Sequence, residues 1–285
     1  MTNNNADTIH LAVSNIAWDK SVNDQIYSLL TQLDVSYLEI CPTRIWDKPE
    51  SVSRADIESY LRTLQRNNLR PVAMQSLLYN YPDLRIFQNK DDYNFALRYI
   101  KHLISIGAQL GIRAIVFGSP RHRALNPNLN QDTNDLVAAF FVNIGGFAHK
   151  HNMSFCIEPI PRQQENDIFT TSSEVIEFLN HVHQPGLAIN LDTGTMISNQ
   201  EDPQTVVANA VGMIGHVHFS SPGLGRVQVD NAIYQEVVTL TMNKSYAGYY
   251  SVEMVPKPDN LSDDLTESIN AAKHWYAQAS KHQEP

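Results

Sequence analysis

Four short runs in the second half of the sequence each carry a side chain able to hold a metal or move a proton. Glu158 lies in CIEPIPR, Asp192 in INLDTG, His218 in GHVHFSS and Glu253 in YYSVEMV. The last run is otherwise Tyr, Ser, Val and Met, the composition of a strand with one carboxylate set into it. A charge taken out of water costs several kcal/mol unless it is paired. Glu253 therefore faces solvent or has a partner. Three acids brought into one place would repel each other, and a divalent cation removes that repulsion. Three carboxylates and one imidazole form a hard, oxygen-rich donor set suited to Mn²⁺, Mg²⁺ or Co²⁺, with Zn²⁺ also fitting. Taken one at a time, each residue has a plainer reading. A lone Glu is usually an exposed residue or a salt-bridge partner, Asp192 fits a turn or helix cap, and a single strand His is usually satisfied in the core. His216 shares the strand parity of His218 and points the same way, one layer deeper. That suits a role behind the ligand, with substrate contact as the alternative.

The elements that must position these groups can be read from eight apolar runs. They are IHLAVS, YLEIC around Glu39, PVAMQS around Gln75, AIVFGS, SFCIEPI, LAINLD, GHVHFS and YYSVEMV. Each has strand length and is rich in Val, Ile, Phe or Tyr. The segments between them have room for a helix and two loops. In NDQIYSLLTQL, Ile26, Leu29, Leu30 and Leu33 share one helical face, as do Ile57, Leu61 and Leu64 in ADIESYLRTLQRNNL. Ser172 or Ser173 is expected to cap the helix SSEVIEFLNHV. The stretch RALNPNLNQDTND is expected to be an ordered loop entering a helix capped near Asp132. Eight strand–helix units in one chain predict an α/β fold, a single-domain (β/α)₈ barrel over 1–285 with frayed ends near 1–8 and 279–285. An open doubly wound sheet is the competing topology. It normally shows a glycine-rich loop after the first strand, and here that strand is followed by SNIAWDKS. In such barrels chemistry sits at the C-terminal ends of the strands. The four groups fall there on strands five to eight.

Composition narrows the function classes. The chain has 285 residues and is 42% hydrophobic, ample for a large core, and its 18% charged residues do not suit a disordered chain. The formal net charge of -9 argues against a duplex-DNA footprint, which needs a basic stripe. Apolar runs are far short of a membrane span, and the start MTNNNADT lacks the features of a signal peptide. A cytoplasmic location is expected. Cys41 and Cys156 match no metal spacing and read as buried free thiols.

The motifs CIEPIPR, LDTGTM with the EDP that follows, HVHFSSPGLG and SVEMV stand in an order and spacing that resemble the xylose isomerase-like barrel superfamily. The nearest branch is that of sugar phosphate isomerases and epimerases, with ketose 3-epimerases, inosose dehydratases and hydroxypyruvate isomerases. Endonuclease IV is a more distant member. The resemblance implies that Glu158, Asp192, His218 and Glu253 hold one divalent metal, Mn²⁺ first among candidates. It also implies that Glu158 and Glu253 serve as acid and base. Proton abstraction beside a carbonyl would give an enediolate stabilised by the metal. Return from the other face inverts the carbon, and return to the adjacent carbon isomerises it. A small carbohydrate or polyol is the implied partner, with homo-oligomers a family expectation.

Two departures stand out. Thr195 occupies a position where many members carry a substrate-binding His. The segment HFSSPGLGR is short, so Arg226 need not occupy the place of the usual substrate-binding Arg. Other residues placed at the mouth as candidate substrate contacts are Trp18, Glu39, Gln75, Arg121, Arg123, Arg162 and His216. The arginines would suit a phosphate or carboxylate, with solvated loop charges as the plain alternative. The same first proton abstraction would serve a dehydratase. A non-catalytic carbohydrate-binding barrel is a further alternative. An endonuclease IV-like reading lacks the additional strand-end His residues that three metals require.

Overall fold

A computed structural model describes residues 10–126 and 133–281. Eight parallel strands close into a barrel: β1 (Leu11–Ser14), β2 (Tyr37–Ile40), β3 (Arg70–Met74), β4 (Ala114–Phe117), β5 (Ser154–Ile157), β6 (Leu187–Asp192), β7 (Ile214–Phe219) and β8 (Tyr250–Val252). β1 pairs with β2 on one side and β8 on the other, so the sheet has no free edge. The α-helices are α1 (Asn23–Gln32), α2 (Arg54–Arg66), α3 (Lys90–Leu110), α4 (Thr133–Lys150), α5 (Ser172–Val182), α6 (Thr193–Asn199), α7 (Pro203–Asn209), α8 (Ala232–Asn243) and α9 (Leu261–Lys281). Each strand coincides with one of the eight predicted runs, with β3 and β7 beginning one residue earlier, at Arg70 and Ile214. No helix among the described residues is long and apolar enough to cross a membrane.

The helices form for local reasons. Ser53 and Asp56 close a reciprocal capping box at the start of α2, whose Ile57 and Leu64 are buried. On α1, Ile26 and Leu30 are fully buried, with Leu29 and the capping Leu33 partly so. α3 stops at Gly111, whose φ of 77° is the left-handed cap conformation glycine adopts without strain. One expected cap is corrected. Thr171, rather than Ser172 or Ser173, accepts the Glu174 N–H at the start of α5, because the helix begins one residue earlier than the serine run suggests. The expected cap near Asp132 and residues 1–8 and 282–285 lie outside the described residues. Residues 279–281 lie in the last turn of α9.

Alternation along the strands builds two cores. Outward residues such as Leu11, Leu38, Ile115, Phe155, Ile189, Leu191, Val217 and Val252 pack against the helices. The lower barrel interior holds small residues: Ala12, Ala114, Val116, Cys156 and Ala188. Both cysteines are free and buried, and burial pushes the Cys156 thiol up to about 12. The rings of His10, Tyr37 and Tyr249 pack together at the N-terminal end of the barrel, with centroids 4.9–6.2 Å apart. Above the small layer the interior turns polar, with Ser14, Glu39, Asn190, His216, His218 and Ser251 all buried. A register shift between Ile189 and Asn190 passes over Gly215 and sets Asp192 opposite His218. A Cβ on Gly215 would lie 2.5 Å from Cys156 Sγ and 2.7 Å from Ala188 Cβ, so this position tolerates only glycine without rearrangement.

Candidate active site

Each of the four predicted groups stands at the C-terminal end of its strand. Glu158 follows β5, Asp192 ends β6, His218 is the penultimate residue of β7 and Glu253 follows β8. The Glu253 N–H still donates to the Phe219 carbonyl at 3.0 Å, which holds the carboxylate on the barrel lattice. Parity sends all four side chains inward. One donor atom from each lies within 4.8 Å of the others, and all four residues are buried.

The convergence point is His218 Nδ1. Glu158 Oε1 is 3.0 Å away, Glu253 Oε2 3.1 Å and Asp192 Oδ2 3.9 Å. Burial raises the carboxyls of Glu158 and Asp192, and neighbouring negative charge raises them further; Asp192 reaches about 6. Burial alone would lower His218, but Glu39 and Glu253 outweigh it and hold the imidazole well above its ordinary value. This cluster calls for positive charge at Nδ1. Three carboxylate oxygens and one imidazole nitrogen fit a hard divalent cation.

Residues around the cluster fix its geometry. Asp192 is both ligand candidate and helix cap. Its Oδ1 accepts the Thr195 N–H at 2.6 Å, and its Oδ2 accepts the Ser220 hydroxyl. Ser220 Oγ in turn accepts the Gly194 N–H at 2.9 Å. A Cβ on Gly194 would come within 2.6 Å of that hydroxyl. Asn190 Nδ2 donates to Glu158 Oε1 at 3.1 Å. Gly118 leaves the space into which Glu158 Oε2 projects. Ser220, Asn190 and Gly118 escaped sequence reading because no motif distinguishes them, although Asn190 and Ser220 share the inward parity of Asp192 and His218.

Above the cluster lies a cavity of about 250 Å³. Glu158, Asp192 and Glu253 face it, with Gln75, Ser76, Ser119, Gln164, Thr195, Ser198 and Ser220 among its polar walls. No lysine, arginine or histidine among the described residues lines it. Thr195, at the position of the usual family His, turns its hydroxyl to the Pro159 carbonyl at 2.8 Å.

Several expected substrate contacts are placed elsewhere. Gln75 does line the cavity. Trp18 is buried in packing and donates its indole N–H to Asn23 at 2.8 Å, so it forms no cavity wall. Arg121 is exposed and pairs with Glu165, and Arg162 is exposed beside Asp167. Both behave as solvated loop charges. Arg226 pairs with Glu267 and lies near Asp264, both on α9, which draws it away from the mouth. Arg123 is fully buried over the Phe117 ring and donates to the Phe117 carbonyl. Burial brings it down to about 9 while the Glu158 charge opposes that shift. Glu39 and His216 are sealed below His218 and do not reach the mouth.

With this geometry in place, a family profile described as xylose isomerase-like TIM barrel matches residues 28–274. The chain belongs to the xylose isomerase-like TIM barrel family. No curated protein matches it in sequence. Among solved structures, this family member is similar to an L-ribulose 3-epimerase (TM-score 0.75, 16% identity, covering 98% of this chain and 100% of that one). It is also similar to D-psicose 3-epimerase from Clostridium cellulolyticum H10 (0.73, 15%, 94% and 99%) and to 3-keto-D-glucoside 4-epimerase from E. coli (0.74, 12%, 96% and 100%). At these identities the likeness establishes a shared fold along nearly the whole chain.

Proposed function

We propose that this protein is a divalent-metal-dependent isomerase or epimerase of a small, uncharged polyhydroxy carbonyl compound. The observation that carries the reading is the convergence of Glu158, Asp192 and Glu253 on His218 Nδ1 at the floor of a small cavity. These four residues would hold the ion, with Mn²⁺ the first to test. When bound, the ion would polarise a substrate carbonyl and acidify the neighbouring C–H.

The chain's own residues account for the proton movements. Glu158 and Glu253 come from β5 and β8, three strands apart in a ring of eight, and so approach the cavity from well-separated sides. One carboxylate can take a proton from one face of a carbon and the other can deliver one to the opposite face. Asn190 holds Glu158 in orientation. Gln75, Ser76, Ser119 and Gln164 offer neutral hydrogen-bonding groups suited to hydroxyls. The cation-free lining favours an uncharged substrate over a sugar phosphate, since a phosphate in a small cavity would lack a basic partner. The structural relatives named above, epimerases of ketoses and a keto-glucoside, support the same substrate chemistry. A cytoplasmic setting fits this reading.

The test has two steps. Metal content of the purified chain is measured beside that of Asp192→Ala, with about one ion per native chain and loss in the variant expected. The native protein is then offered free ketoses, their phosphates and inosose-like ketones in heavy water. Deuterium entry beside the carbonyl of a free ketose is the expected result. Exchange confined to phosphates would overturn the uncharged-substrate assignment, and water loss after exchange would assign a dehydratase instead.

A further inference from the structure

An imidazole that binds a metal through one nitrogen must carry its proton on the other, and the partner of that second nitrogen fixes which is which. His218 is fully buried and its two nitrogens face different surroundings. Nδ1 faces Glu158, Asp192 and Glu253, whereas Nε2 lies 3.0 Å from Glu39 Oε1. Glu39 arrives from β2, has no exposed surface and does not line the cavity. Its other oxygen, Oε2, accepts the Ser251 hydroxyl at 2.9 Å and the Gln75 amide at 3.3 Å. The same Gln75 nitrogen also donates to Ser14 at 2.8 Å, so strands β1, β2, β3 and β8 together clamp the carboxylate. An ionised carboxylate accepts and cannot donate. Opposite it, His218 Nε2 must carry the proton, leaving Nδ1 free to present its lone pair to a cation.

We infer that Glu39 is the positioning residue of the metal centre, holding His218 in the Nε2–H form with Nδ1 aimed at the point where the three carboxylates meet. The inference rests on the metal reading above and gives Glu39 a role distinct from substrate contact. His216 Nε2 lies 3.3 Å from the same Glu39 oxygen without hydrogen-bonding alignment, and so steadies the carboxylate only as a neighbour. Glu39, His216 and His218 also offer donor atoms within 4.8 Å of one another, so capture of a second ion is the rival outcome.

The experiment is calorimetric titration of metal-stripped protein with MnCl₂, using the native chain, Glu39→Leu, Glu39→Gln and Asp192→Ala, with melting temperatures in parallel. Glu39→Leu is expected to weaken Mn²⁺ binding by about 10–100-fold. Glu39→Gln keeps an acceptor oxygen and is expected to recover most of that loss, which a merely structural role would not produce. On the Zn²⁺-loaded native chain, long-range proton–nitrogen NMR is expected to show His218 protonated at Nε2. This spectrum decides the matter even if Glu39→Leu fails to fold. Native affinity in a folded Glu39→Leu, metal on Nε2, or two ions per native chain would overturn the inference while leaving the metal reading standing. No Mn²⁺ binding by the native chain would overturn both.

Discussion

At the scale of single residues, the site is a set of acids whose charges need an external partner. Glu158 and Glu253 both face the cavity, and both contact His218 Nδ1. Glu158→Gln and Glu253→Gln are each expected to lower turnover by about 10²–10⁴-fold, since on the proposed mechanism each removes a proton-transfer group. A steady-state assay of both variants checks this; a binding module would tolerate at least one. The four ligand candidates were legible in the sequence because each sits in an apolar run, where a charge stands out. The direction of the arginines was not. Arg123 turns inward over Phe117 and Arg226 outward to α9, and both outcomes depend on loop paths that no local pattern encodes. The role of Glu39 was hidden for another reason: its partner His218 lies 179 positions away, and only barrel closure brings them together.

At the scale of elements, strand parity and close approach set the geometry. The (β/α)₈ order was readable because eight strand-length apolar runs recur with helical spacing between them. The shift that aligns Asp192 with His218 was not readable, since one extra glycine changes no pattern. Gly118 supplies an element-level test. A methyl there would collide with Glu158 Oε2 and push the carboxylate out of the cluster. Gly118→Ala is expected to cost about 100-fold in turnover, the scale of an ångström-sized misplacement. Its melting temperature should stay near that of the native chain, because the strain can relax into the cavity rather than the core. A large melting shift with normal turnover would show that Glu158 has room to spare.

At the scale of the whole molecule, the proposed metal site would link occupancy to stability. In the metal-free chain Asp192 sits at about 6, above its unfolded value of 3.8, and His218 lies well above 6.5. Both are raised, so at these two groups the folded chain holds more protons than the unfolded one. The stability these two groups contribute therefore falls as pH rises, from Asp192 between about pH 4 and about pH 6 and from His218 above about pH 6.5. A bound cation takes the place of those protons. The melting gain from Mn²⁺ is thus expected to be larger at pH 8 than at pH 5.5, which thermal scans with and without the ion would test. The buried side chains beneath the cluster add a further consequence: Glu39, His216 and Cys156 fill the barrel below His218. They make the cavity above them a blind corridor, so whatever enters last must leave first. On the proposed reading, an ion held by the four residues at its base could not be withdrawn while a sugar stood in the doorway. A saturating substrate or unreactive polyol should slow stripping of the ion by a chelator. Stripping at an unchanged rate would mean that the corridor has a second exit.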